Sequence, residues 1–281
     1  MFERLKRGRE LGRATLAVLT GNPRLAVFPV VSAVALLALT AAVGGPMLAV
    51  LGGDRTTASN GQVVGMILGA LVWYFGCAFI IVFCNAALIS CASQSFAGES
   101  PSVSSGFAAA GKRLPQILGW SALACTVGLA FRMLDSLSDK IDLLGQIIEG
   151  LAEGAWSVVT YFALPVVVVE GLGPVGAVKR SSAILRATWG EMVGSSVGIG
   201  LRLGLFALPL LGLIALLASG TGGHAVRVAL GVIVAVYVAA FAVVVAALGT
   251  ILRAALYRYA VSGTASGPLS PELLQSAFAP R

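Results

Sequence analysis

The chain has 281 residues, 58% of them hydrophobic and only 11% charged, whereas soluble domains carry about 25% charged residues because water must cover their outside. That composition excludes an ordinary soluble fold and a disordered chain. With four cysteines and one histidine, His224, at no ligand spacing, it also excludes a disulfide scaffold and a metal cluster.

In chain order, residues 1–25 are a basic segment carrying Lys6 and Arg7, expected to lie in the membrane interface. Long apolar runs then follow at roughly 26–51, 63–91, 116–134, 154–170, 192–219 and 226–257. Each reaches, or in the shorter cases approaches, the ~20 residues a helix needs to cross hydrocarbon. The runs are continuous and lack the alternation of outer-membrane strands, so helices are expected throughout. The first begins beyond twenty residues of polar chain and exceeds the roughly 7–15 residue core of a signal peptide, which makes it an uncleaved span. Residues 26–257 thus read as one six-helix transmembrane domain, with loops at 92–115 and 171–191 on the side of the termini and a tail at 258–281. The segment 135–153 lies on the opposite side. Leu134, Leu137, Ile141, Leu144, Ile148 and Leu151 form an apolar stripe through it, with Asp135, Asp139, Asp142, Glu149 and Glu153 off the stripe. That pattern suits an acidic amphipathic helix or a continuation of the flanking spans beyond the bilayer.

Fourteen of the nineteen Lys and Arg residues fall on the side of both termini, four (Arg55, Arg132, Lys140, Arg227) on the other, and Arg202 within a span. This asymmetry places both termini in the cytoplasm. The net charge of +7 is therefore topological, with affinity for anionic headgroups, and nucleic acid is not an expected partner. A short basic segment precedes each odd-numbered span: Lys6-Arg7, Lys112-Arg113 and Lys179-Arg180. The architecture reads as three units of interfacial elbow plus membrane hairpin. Around the third elbow, Val175, Val178, Ser182, Leu185, Trp189 and Met192 recur at helical spacing, an amphipathic helix with Trp189 at headgroup level.

Polar residues inside the spans are the candidates for function. Arg202 lies about ten residues into the fifth span, roughly 15 Å deep at 1.5 Å per residue, where an ionisable group is costly. Glu170, at the cytoplasmic end of span four, is its natural partner, and the pair reads equally as a binding or gating site and as a structural tie. The small-residue patterns Gly194–Gly198 and Gly200–Gly204 suit close helix packing, and with it a homo-oligomer or a partner membrane protein. Cys77, Cys84 and Cys91 fall seven apart, ~10 Å along the axis; that is too far for a shared metal or a disulfide and fits a packing seam. Asn85 beside them is able to hydrogen-bond across helices. No metal and no cofactor is expected. No nucleophile elbow, zinc-protease helix or phosphate-binding loop occurs, and an enzyme is not expected.

Asn22-Pro23 through Phe28-Pro29, Asn85-Ala-Ala-Leu-Ile89, and Leu164-Pro165 through Trp189-Gly190 together resemble an uncharacterised family of bacterial and archaeal integral membrane proteins. The last stretch carries most of the likeness, with Glu170-Gly-Leu-Gly-Pro174, Ala177, Lys179-Arg180-Ser181 and Trp189-Gly190. The chain is similar, more distantly, to the membrane domain of some glycerophosphodiester phosphodiesterases. The resemblance implies six helical spans and supplies no activity; the phosphodiesterase catalytic domain has no counterpart here. Two readings remain. One is a non-enzymatic component of a prokaryotic cytoplasmic membrane that organises lipids or partner proteins through its basic elbows. The other is a transporter or channel with Arg202, Glu170 and Asn85 along a polar path.

Overall fold

A computed structural model describes residues 2–51, 60–138, 143–188 and 224–263, and every regular element among them is helical. In chain order these are α1 (Phe2–Gly21), a 3₁₀ turn (Pro23–Ala26), α2 (Val27–Leu51), α3 (Asn60–Phe96), α4 (Val103–Lys112), α5 (Leu114–Ser138), α6 (Leu143–Val159), α7 (Ala163–Val169), α8 (Pro174–Thr188) and α9 (His224–Ser262). Five stretches are long and apolar enough to cross a membrane: Pro23–Gly45, Gly61–Phe96, Leu114–Leu134, Gly150–Val169 and Ile233–Ser262. They correspond to five of the six expected spans; the remaining one, 192–219, lies outside the described residues, as do Trp189 and Arg202. The chain is a polytopic helical membrane protein. Within the segment 135–153, α5 runs on to Ser138 and a further helix, α6, starts at Leu143, while 139–142 lie outside the described residues.

Two compact units can be distinguished, one of residues 1–29, 92–100 and 186–281, the other of 30–91 and 101–185. In the first, α1 packs a face of Ala14, Thr15, Val18 and Leu19 into protein, and α9 buries Ala247, Thr250, Ile251, Ala254 and Ala255. The spacing in each is that of one helical face. Asn22 ends α1: its amide donates to the Val18 carbonyl (3.1 Å) and its side-chain Nδ2 to Ser95 Oγ (3.1 Å). Pro23, with φ fixed and no N–H to lose, opens the 3₁₀ turn that buries Leu25 and Phe28. Arg258 Nη1 donates to the Ser93 carbonyl at the end of α3 (3.3 Å).

In the second unit, Trp73 Nε1 donates to Thr40 Oγ1 (3.1 Å) between α3 and α2. Phe83 stacks on Phe107 of α4 with ring centres 6.0 Å apart. Ser102 caps α4, exchanging hydrogen bonds with Ser105 in a capping box, while Cys91 Sγ donates to the Ser102 carbonyl (3.3 Å). The buried side chains concentrate toward one end of the spans: Cys84 and Ala86–Cys91 on α3, Ile117 and Trp120–Ser121 on α5, and Phe162–Val168 on and before α7. Elsewhere large apolar side chains face outward, Leu37 at 72% exposure and Val72 at 61%. Water would penalise that surface at about 25 cal/mol per Å², and hydrocarbon does not.

The fourth span differs from its sequence expectation in being broken. Helix α6 stops at Val159, Thr160–Phe162 form a turn, and α7 resumes at Ala163. Pro165 explains the position. It has no N–H to donate to the Tyr161 carbonyl four residues back, and its ring would collide with that carbonyl in a continuous helix; three residues into a new helix it does neither harm. The break frees the buried amide of Phe162, which donates to Ser181 Oγ of α8 (3.1 Å), and Ser181 is itself fully buried.

That bond also shows which row of α8 meets protein. Ala177, Ser181, Ile184 and Leu185 form its protein-facing row, whereas Val175, placed on the apolar stripe by its spacing, is 63% exposed. Two small residues four apart admit the backbone of the preceding segment, which larger Val175 and Val178 would hold off. Replacing Ser181 by Ala is expected to leave the Phe162 amide buried and unpaired and to lower stability by about 1–3 kcal/mol, measured as the shift of the unfolding midpoint in mixed micelles.

Candidate functional site

The residues following α7 build the most polar junction in the second unit. Glu170 caps α7 with its amide on the Val166 carbonyl (2.9 Å), and Gly171 returns its own amide to the same carbonyl (3.1 Å) while turning to φ +71°. A left-handed residue after a helix end favours glycine because other side chains strain there. Gly173 then accepts from the Ala177 amide (2.8 Å), and Pro174 opens α8. This Glu-Gly-Leu-Gly-Pro run is a stop and a start in five residues.

The turn lies against α5 at two points. A methyl group on Gly119 would stand 2.9 Å from Pro174 Cγ, so the backbone of α5 is nearly in contact with the proline ring. A methyl group on Gly171 would stand 2.6 Å from Cζ of Arg113, so the guanidinium occupies the space that any side chain would need. Arg113 joins α4 to α5, its amide on the Ala110 carbonyl (3.0 Å) and its carbonyl receiving the Ile117 amide (2.9 Å). On the other side of the turn, Arg180 of α8 donates through Nε to both carboxylate oxygens of Glu170, at 3.0 and 3.1 Å. Side-chain exposure of 42% for Arg180 and 25% for Glu170 makes this an ion pair of about 0–1 kcal/mol. Exposed Lys112 and Lys179 flank the two arginines in sequence. Four cations against Glu170 leave an excess of three positive charges.

The second and third basic elbows, separate in sequence, are thus gathered on one turn. Lys6 and Arg7 of the first lie on α1. Glu170 sits where it was expected, at the end of its span, and pairs with Arg180; Arg202, the partner read for it from sequence, lies outside the described residues. Asn85 is half-buried on α3, within the run Cys84–Cys91 where the second unit is densest. The four cysteines are free thiols, with Cys84, Cys91 and Cys125 buried and Cys77 partly so. Sequence reasoning assigned no role to Gly119, Gly171 or Ser181. The glycines on either side of Leu172 were the available signal, since two of them before a helix-opening proline announce a tight turn with close neighbours.

Residues 63–267 match the Family of unknown function (DUF6159). The match covers well over half of the 281 residues, and the chain belongs to that family. No curated protein and no solved structure matches it.

Gly119→Val is expected to force the Pro174 ring away and cost about 1–3 kcal/mol through overpacking, whereas Glu170→Gln costs under about 1 kcal/mol. Unfolding of both variants in mixed micelles would check this order.

Proposed function

We propose that this member of the family is a non-enzymatic, multi-pass protein of a prokaryotic cytoplasmic membrane, with six spans and both termini in the cytoplasm, which organises membrane lipids through its cationic helix junction. The supporting observation is the convergence of Arg113 and Arg180 on Glu170–Gly171, next to the residues where one span starts and another ends, Leu114 and Val169. Each Lys or Arg near an anionic membrane surface contributes about 1 kcal/mol of attraction, so an excess of three draws acidic headgroups without any chemical step. Gathering lipid in this way also suits association with a second copy or with another membrane protein.

One observation favours the second reading, a transporter or channel: the interruption at Thr160–Phe162. Broken spans in transporters expose backbone groups to substrates. Here the freed Phe162 amide is taken by Ser181, which favours a structural interruption over an open site.

Protein extracted from native membranes in a mild detergent is expected to retain acidic phospholipids above their share in the membrane. Neutralising Lys112, Arg113, Lys179 and Arg180 together removes that enrichment. Lipid mass spectrometry of the purified sample reads it, and an unenriched wild type would overturn the lipid reading. Solute uptake into reconstituted vesicles, lost in an Arg202→Leu variant of normal stability, would establish transport in its place.

A further inference from the structure

Arg113 is held in an unusual way. Its guanidinium lies where a Gly171 side chain would be, with Cζ at 2.6 Å and Nη2 at 3.0 Å from the position of the missing methyl. Gly171 is favoured as glycine by its φ of +71°, and a side chain there would displace the guanidinium that rests on it. Positioned this closely, Arg113 still forms no ion pair and no side-chain hydrogen bond with any described residue, and its side chain is only part-buried. Its five N–H donors, which share one plane, thus lie beside Gly171 and are open to an acceptor from outside the described residues. Arg180 is in a similar condition, since Glu170 engages its Nε at 3.0 and 3.1 Å and its two Nη groups meet no described acceptor.

The depth of the pair narrows the acceptor. Arg113 immediately precedes Leu114, where one span begins, and Glu170 immediately follows Val169, where another ends. In a bilayer crossed by these spans, both guanidinium groups would meet the edge of the hydrocarbon, where lipid phosphates lie. Guanidinium matches the oxygen spacing of a phosphate through two parallel N–H bonds, which an ammonium group does not.

We propose that Arg113 and Arg180 form a binding site for the phosphate of an acidic phospholipid headgroup, with Gly171 as the floor that positions Arg113. The site deepens the lipid reading above and rests on it. Glu170 is a positioning residue: adjacent to Gly171 in the chain, it holds Arg180 through Nε, and its single charge leaves the pair of arginines cationic. Lys112 and Lys179 add attraction without setting geometry.

Native mass spectrometry of the full chain in neutral detergent tests this, with dioctanoyl phosphatidylglycerol, dioctanoyl phosphatidylcholine, oleate and inorganic phosphate as separate probes. Wild type is expected to retain phosphatidylglycerol best. Gly171→Ala and Arg113→Lys, neither of which changes the charge, are each expected to weaken that retention about tenfold, equivalent to about 1.4 kcal/mol. Arg132→Gln, which removes a charge from the far end of α5, leaves it unchanged. If Gly171→Ala is not monodisperse, Arg113→Lys decides alone, because it retains both the charge and the glycine. Undiminished retention in Arg113→Lys, or oleate bound as well as phosphatidylglycerol, overturns the phosphate site while leaving the lipid reading standing. Inorganic phosphate binding as tightly as the lipid overturns the lipid as its source. Wild type that holds phosphatidylcholine as well as phosphatidylglycerol overturns the lipid reading itself.

Discussion

A backbone amide in hydrocarbon has no water to turn to, and each one left unpaired costs several kcal/mol. Most of the described architecture follows from that constraint. It makes long apolar runs helical and sets where they may be interrupted. At Pro165 the fourth span has to break, and one amide, that of Phe162, is released in a buried place. The chain meets the cost with a hydroxyl from a different helix, Ser181, rather than with solvent. The position of α8 is thus tied to a defect in the span before it.

The same solvent decides where protein packs on protein. In the second unit the side chains buried by protein gather toward the ends of the spans, from Cys84 to Cys91, around Ile117 and Trp120, and from Phe162 to Val168. The first unit behaves alike, burying Ala14, Thr15, Val18 and Leu19 of α1 and Ala247, Thr250–Leu252 and Ala254–Tyr257 of α9. Lipid covers the outward apolar surface elsewhere and leaves no hydrophobic force to draw the mid-span faces together. Contacts there are made instead by specific approaches: Trp73 to Thr40, Leu39 over Gly76, and the Arg132 guanidinium 5.6 Å above the Tyr74 ring.

Spans were legible in the sequence because length and apolarity are summed over some twenty residues, and single errors do not matter. The Lys112-Arg113 and Lys179-Arg180 elbows were legible as charge: Lys112 ends α4, Arg113 joins it to α5, and α8 carries Lys179 and Arg180. What was not legible depended on contacts between distant segments. The apolar row of α8 through Val175 was legible from its spacing, but the row through Ala177 and Ser181 that meets protein was not. The choice is made by the backbone of the α7 segment, which only small residues admit. Pro165 was visible as a residue tolerated in a membrane helix, but the turn four residues earlier follows only once the ring's clash with the Tyr161 carbonyl is considered. Gly171 carried no signal of its own beyond being a glycine near a proline. Its meaning comes from Arg113, more than fifty residues earlier in the chain.

Ser181 and Arg180 are neighbours on α8, and they grip the preceding segment at both of its ends. Ser181 holds the amide of Phe162 at the start of α7, and Arg180 holds the carboxylate of Glu170 at its finish. Two fastenings on a helix of seven residues leave it little freedom to pivot against α8. Adjacent residues of α8 thus set the register of the whole α7 segment against it, from the buried end at Phe162 to the more exposed end at Glu170.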